Sequence, residues 1–313
     1  TSIVDLALNQ RNKQQVWALW SALEEVEPQE VAALAAESMS SDLIWYGPDP
    51  FSELHGPDTF MADFWLPLRH SFLGLSRQTH IFCGGESNGR VDGDLSKDGK
   101  MWVSGTGYFT AVFAHDYLSI PATGEPVRIR WGEFCRLEAG KIVEIYMLLD
   151  FVDLMQQAGF QVLPPSRGRD HLYPPPSVQD GVLQGVQDAE ESAYSREHLH
   201  RFIFQGLNKY NQSELGSMGM ADFFHPQIKW YGPGGIGACL SLEEFEDYHQ
   251  RPWLHAFPDR QVQDLTALFA EGAYSAAPGW AGVKATHAGD YLNAPATGNT
   301  VVLNRLFTLT STS

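Results

Sequence analysis

Positive charge is scarce in this 313-residue chain: 21 Lys and Arg stand against 38 Asp and Glu, a formal net charge of −17. Sequence-independent nucleic-acid binding needs cations that displace phosphate counterions, so no nucleic-acid partner is expected. The same deficit argues against docking on an anionic membrane, and no apolar run approaches the ~18 residues that span one. Cysteine is also scarce. Cys83, Cys135 and Cys239 cannot all pair and lie far apart, so a reducing cytoplasm is expected rather than a disulfide scaffold. Thr1 to Gln15 lacks the apolar core of a signal peptide, and the absence of an initiator Met suggests a trimmed start. No Cys-x-x-Cys, His-Glu-x-x-His or calcium loop occurs, so neither metal nor cofactor is expected. Gly84-Gly85 is too short to cradle a phosphate, and His198 and His200 do not share a helix face. Gly85-Glu86-Ser87-Asn88-Gly89 matches a nucleophile elbow, but a polar turn over 89–93 stands where the motif needs a helix.

What the chain does have is an internal duplication. Trp45-Tyr46-Gly47-Pro48 recurs as Trp230-Tyr231-Gly232-Pro233, an offset of 185. Phe60, Pro67, His70 and Phe72 match Phe245, Pro252, His255 and Phe257 at that offset. Asp116-Tyr117-Leu118 and Pro121-Ala122-Thr123-Gly124 recur as Asp290-Tyr291-Leu292 and Pro295-Ala296-Thr297-Gly298, at offset 174. A period this long means two domains, not a solenoid. We read them as residues 1–160 and 188–313, joined by a Pro-rich linker over 161–187 that is extended and loosely packed.

Within copy one, helical spacing covers Val16 to Glu25, a second helix follows Pro28, and Thr59 to Arg69 reads as a third. Strands follow at Gln78–Cys83, Met101–Phe113, Val127–Leu137 and Ile142–Asp150. Helices first and antiparallel strands after define an α+β domain, a curved antiparallel sheet whose helices close a cone-shaped pocket. A turn over Glu138-Ala139-Gly140-Lys141 sets Leu137 opposite Ile142. Continuing that register places Trp131, Glu133, Cys135, Glu144, Tyr146, Leu148 and Asp150 on one face. Aromatic walls with few polar groups suit a small-molecule pocket. The other face, with Arg128, Arg130, Phe134, Ile145, Met147 and Leu149, is left to pack on the second domain.

The order of these motifs resembles the SnoaL-like polyketide cyclases, within the nuclear-transport-factor-like and ketosteroid-isomerase-like fold. The resemblance rests on the paired Trp-Tyr-Gly-Pro and Pro-Ala-Thr-Gly motifs. Phe257-Pro258-Asp259, Thr286-His287-Ala288-Gly289, the run Gly140 to Glu144 leading to Asp150, and Gln157-Ala158-Gly159 add to it. It implies a cone fold that closes rings by an intramolecular aldol step without a cofactor, using an Asp as acid/base and a nearby His. Asp150 matches the Asp, and His287 matches the His, but in the other copy. Phe113 stands opposite His287 in copy one, with His80 or His115 as substitutes, and copy two ends at Ser313 before its own Asp. An open strand edge over 301–309 is therefore expected.

Asp150 is the candidate general base, with a helix cap as its alternative. Glu133 is read as its partner or as the mate of an Arg, and His287 as a carbonyl polariser or a hydrogen-bonded strand residue. Tyr46, Trp131, Tyr146, Trp230 and Tyr231 are expected to line pocket or core. Three functions follow: acid/base cyclase or isomerase chemistry on a hydrophobic carbonyl compound, a non-catalytic binding or scaffold module, or a hydrolase acting through water. The resemblance implies the last through relatives of this cone fold, with an Asp–Arg–Asp-type cluster that the sequence does not place. The expected assembly is an intramolecular pseudo-dimer, with a further homodimer left open.

Overall fold

In the computed structural model, residues 5–88, 96, 98–178, 180–262, 265–305 and 308–310 are described. The first half opens with helix α1 (Leu6–Glu25), capped by the Asp5 carboxylate accepting from Leu8 N at 2.8 Å. It begins ten residues before the apolar periodicity does. Its first turns bury Asn9, Asn12 and Lys13, polar residues that carry no such period. Helix α2 (Val31–Ser38) leads to strands β1 (Met39–Tyr46) and β2 (Glu53–His55). Helices α3 (Pro57–Phe60) and α4 (Leu66–Ser71) follow, joined by a π-helical turn over Met61–Trp65. Strands β3 (Phe72–Glu86), β4 (Met101–Phe113), β5 (Pro126–Glu138) and β6 (Lys141–Leu149) precede helix α5 (Phe151–Gln157). One six-stranded sheet runs β2-β1-β6-β5-β4-β3, antiparallel except for the parallel β1–β6 pair. Val16, Leu19, Trp20 and Leu23 of α1 belong to the same buried cluster as Phe64, Phe109, Trp131, Ile145 and Met147.

The β5–β6 hairpin corrects the expected register. Its two-residue turn puts Ala139 and Gly140 at φ 49 and 76, and Leu137 does face Ile142. Between Arg136 and Leu137 the register shifts, leaving Val143 as an extra residue in a β-bulge. Beyond it Cys135 faces Ile145, Glu133 faces Met147 and Trp131 faces Leu149. A one-residue slip moves every later side chain to the opposite face. Tyr146, Glu144 and Asp150 are thus separated from Trp131, Glu133 and Cys135, and Met147 joins the first half's core.

The second half has helices α6 (Ala189–Arg201), α7 (Leu242–Glu244) and α8 (Arg251–Ala256), with a π-helical turn over Phe245–Gln250. Its strands are β7 (Trp230–Tyr231), β8 (Ala238–Cys239), β9 (Gln261–Val262), β10 (Phe269–Glu271), β11 (Tyr274–Ala276), β12 (Gly279–Thr286), β13 (Thr300–Arg305) and β14 (Thr308–Thr310). Among the described residues they form three short sheets, β10-β11-β14, β13-β12-β9 and β7-β8. β13 is an edge strand, with Val302 55% exposed, and Ser311 to Ser313 lie outside the described residues.

The repeat is visible in backbone geometry. Leu118 and Ser119 take φ 50 and 65, and Leu292 and Asn293 take φ 49 and 66. In each copy the preceding Asp caps the turn, Asp116 accepting from Ala122 N and Asp290 from Ala296 N. The stretch between the copies is tied down more firmly than its Pro content suggests. Phe82 donates to Gly181 O, Leu183 donates to Phe82 O, and Arg169 pairs with Ala238 of the second half. Direct contact between the halves is apolar around Trp102, Phe134, Tyr146, Phe269 and Tyr274. It is charged where Lys13 Nζ meets Glu271 Oε2 at 2.9 Å.

Candidate functional site

The residues facing inward from the first half's sheet build one polar centre in an aromatic shell. Arg77 on β3 is buried, and its guanidinium lies 4.1 Å from the Trp20 ring, 4.2 Å from Trp131 and 4.9 Å from Phe109. Glu133 on β5 accepts from Arg77 Nη2 at 3.2 Å and from Trp20 Nε1 at 2.8 Å. The Cys135 thiol donates to the same carboxylate at 3.5 Å, and burial pushes its pKa well up. Gly105 lets Trp20 lie this close to β4, since a Cβ there would stand 2.8 Å from its ring.

Beside this centre is a hollow of about 130 Å³, lined by Trp17, Trp20, Ser21 and Glu24 of α1 and by Arg77 and Thr79 of β3. Arg77 Nε and Nη1 are buried and have no hydrogen-bond partner. Burial draws the guanidinium pKa down, and Glu133 partly restores it. Glu24 accepts from Arg77 N at 2.6 Å. Burial raises the Glu24 pKa above the usual carboxylate value, against the opposing pull of the Arg77 amide and charge. Trp17, Glu24 and Arg77 were not singled out from sequence. Glu24 and Arg77 carry no motif, and only the fold brings them together.

The other candidates lie elsewhere. Asp150 caps α5, Oδ1 accepting from Asp153 N at 3.1 Å and Oδ2 from Gly234 N of the second half at 2.9 Å. The hollow it borders, with Asp153, His171 and Tyr173, measures about 10 Å³, one water's worth. Tyr46 and Tyr146 stack at 4.4 Å with planes 4° apart, and Trp280 of the second half lies 5.6 Å from Tyr146. The Tyr231 carbonyl accepts from Arg130 Nη1 at 2.9 Å. Trp230 stacks on His249 at 4.1 Å. His287 is buried, paired through Nδ1 with Thr297 Oγ1 at 3.2 Å and stacked on Phe257. Of the eight sequence candidates, the polar centre gathers Trp131 and Glu133 alone. The bulge at Val143 keeps Tyr146 and Asp150 out of it, and Asp150 and His287 sit in different halves. Ser87 of the elbow-like motif is buried and accepts from Leu268 N, while Gly89 and the turn over 89–93 lie outside the described residues. No group of three His, Cys, Asp or Glu suited to a metal occurs among the described residues.

No protein family and no curated protein matches the chain by sequence. Among solved structures it is similar to a protein from Jannaschia named as a SnoaL-like polyketide cyclase, at 15% identity and TM-score 0.36 over 49% of this chain and 94% of that one. It is similar to IdmH of Streptomyces antibioticus, named as a polyketide cyclase, at 15% identity and TM-score 0.35 over 47% and 97%. An NTF2-like protein of Burkholderia thailandensis matches at 19% identity and TM-score 0.34 over 48% and 97%.

Proposed function

We propose that the first half binds a flat, uncharged carbonyl compound about one ring in size and exchanges a proton next to its carbonyl. The observation that carries this reading is Arg77. Two of its guanidinium nitrogens are buried and unpartnered beside a hollow of about 130 Å³. Buried donors without partners cost roughly 1–3 kcal/mol each, a cost that a ligand oxygen removes. An apolar cavity of about 150 Å³ accommodates benzene, which sets the size. Neutrality follows from charge. Arg77 is already balanced by Glu133, and Glu24 beside it repels an anion.

The chemistry is general-base enolisation. The substrate oxygen accepts from Arg77. Glu24 takes the α-proton, the C–H pair moves into the carbonyl, and the resulting enolate oxygen rests on the guanidinium. Glu24 returns the proton to carbon, or the enolate attacks a second carbonyl of the same molecule. A carboxylate of raised pKa is a stronger base for this step than an ordinary one. Asp150 takes no part.

Acetophenone in D₂O tests the reading by NMR. The protein binds it and exchanges its methyl protons. Glu24→Gln retains binding and slows exchange by roughly 10²–10⁴, and Arg77→Met loses binding. Exchange that survives in Glu24→Gln, or no binding by any aryl ketone, overturns it. A second reading is favoured by the flanking of Arg77 by Glu24 and Glu133, a carboxylate–arginine–carboxylate arrangement that can activate a water. Styrene oxide opened in H₂¹⁸O to a labelled diol, without ketone exchange, distinguishes that hydrolase.

A further inference from the structure

The second half is a duplicate of the first, and at one buried place its side chains differ in kind. At the 185 offset, Trp230 stands for Trp45 and His249 for Phe64. The stack is kept: Trp45 and Phe64 lie 4.2 Å apart with planes at 30°, Trp230 and His249 4.1 Å apart at 21°. Around that stack copy one has Phe64, Leu75 and the Trp65 ring, all in one core cluster and none of them charged, with the Trp65 indole N–H donating to Leu23 O. Copy two has His249, Arg260 and Gln250 at the same three positions. All three remain inside the fold. Gln250 is 3% exposed and Arg260 6%, and burial with the nearby Arg260 charge pulls the His249 pKa down to about 3.

Each of the three has a buried polar atom without a partner: Arg260 Nη1, His249 Nδ1 and Gln250 Oε1. Arg260 Nη2 donates to the thioether of Met218 at 3.1 Å, a weak acceptor. Among the described residues, the groups that face Arg260 electrostatically are Tyr210, His249 and Arg305, a second buried cation, and none of them is a carboxylate. The contrast with Arg77, which has Glu133, is complete. An uncompensated buried cation costs several kcal/mol, and a neutral core of this shape was available in the parent copy. Three such substitutions at one place are not accounted for by packing.

We infer that the second half holds a small organic carboxylate, its charged end on Arg260 Nη1 and its flat body against the aromatic wall of Trp230, Trp253 and Phe257. The charge comes from Arg260, which calls for one negative group. His249 is neutral near pH 7 and can donate through Nδ1 to the second carboxylate oxygen. Trading Phe64 for His249 and Trp65 for Gln250 removes side-chain volume at this place, while Leu75 gives way to the longer Arg260. The wall is continuous: His249 lies 5.9 Å from Trp253, and Trp253 4.7 Å from Phe257. This site is independent of the reading of the first half, which selects an uncharged ligand by a different guanidinium.

Benzoate is the probe, with benzamide as its neutral isostere and chloride and inorganic phosphate as bare anions. Each is titrated into the full chain, followed by tryptophan fluorescence and thermal unfolding. Benzoate is expected to raise the unfolding temperature in a saturable way, and benzamide is expected not to. Arg260→Met weakens benzoate by roughly tenfold to a hundredfold, the worth of a charge-assisted hydrogen bond. Without ligand, that variant is as stable as the wild type or more so, because the unpaired charge is gone. His249→Phe restores the copy-one residue and weakens benzoate severalfold while the fold is kept. Acetophenone binding in the first half is unchanged in both variants. Phosphate or chloride matching benzoate would reduce the site to a bare-anion site and overturn the aromatic part. Equal binding of benzoate and benzamide, or undiminished benzoate binding in Arg260→Met, overturns the whole.

Discussion

Replacing Glu133 by Gln removes a charge and almost no volume, so its effect isolates the buried pair with Arg77. The Arg77 and Glu133 side chains are 5% and 7% exposed, so water screens little of the interaction. Glu133 collects three donors, from Trp20, Arg77 and Cys135, and one amide oxygen can keep at most part of that set. The larger loss is that Arg77 is left charged among Trp20, Trp131 and Phe109. Breaking a buried pair from one side costs about 3–5 kcal/mol. Replacing both partners removes the stranded charge, so Arg77→Met with Glu133→Gln should cost at most about 2 kcal/mol. The measurement is equilibrium urea unfolding of the full chain at pH 7, followed by fluorescence and circular dichroism. A Glu133→Gln cost below about 1 kcal/mol, or a double variant equal to the sum of the singles, would refute the claim that this pair is coupled and desolvated.

Lys13→Met strands Glu271 and frees the carbonyls of Leu183 and Gly185, so it should cost about 3–5 kcal/mol and open residues 183–185 to limited proteolysis. Asp150→Asn weakens the bonds to Asp153 N and Gly234 N and should cost about 1–2 kcal/mol, read by urea unfolding, with ketone exchange in the first half unchanged. Glu24 has a folded-state pKa above its unfolded one, so the folded state binds the extra proton between the two values. Stability therefore falls as pH rises from about 4.5 through the folded pKa, and Glu24→Gln should flatten that slope in pH-dependent unfolding. Over the same window the ketone exchange rate should rise with pH, because the base form is the active one.

The α+β class and the duplication were legible because both rest on order and spacing, which a single chain displays. In the structure the Asp-Tyr-Leu and Pro-Ala-Thr-Gly repeats flank a turn with two left-handed residues in each copy, a feature not read from the sequence. The site was less legible, for a local reason. A period of two is reversed by one inserted residue, and Val143 is that residue. Its sequence context, Gly-Lys-Ile-Val-Glu-Ile, alternates nothing that marks a bulge. Every assignment before it survives, which keeps Trp131 and Glu133 together. Every assignment after it inverts, which moves Tyr146 and Asp150 to the other half's side. Arg77 was illegible for a different reason. A lone Arg in a strand reads as solvated, and only the indoles of Trp20 and Trp131 and the carboxylate of Glu133 make its burial tolerable.

The two halves repeat the same motifs, yet Arg77 and Arg260 have no charged counterpart in the other copy. At the 185 offset Arg77 corresponds to Val262, which is buried and apolar, while Arg260 corresponds to Leu75, which is equally so. A guanidinium cannot drift from one site to the other by small steps, since each intermediate with an unpaired charge is costly. The two guanidiniums are therefore separate features of the two copies, not one site carried over. In a symmetric dimer of identical chains that is impossible, because any substitution appears twice. Fusing the copies removes the constraint. One half can keep a balanced Arg–Glu pair while the other carries Arg260 with no carboxylate facing it among the described residues and with Arg305 as a buried neighbour. The Lys13–Glu271 contact fits the same logic, since it links α1 of one copy to β10 of the other and orients the two relative to each other. What the duplication supplies is asymmetry, and the chemistry of each half should be sought with a different class of molecule.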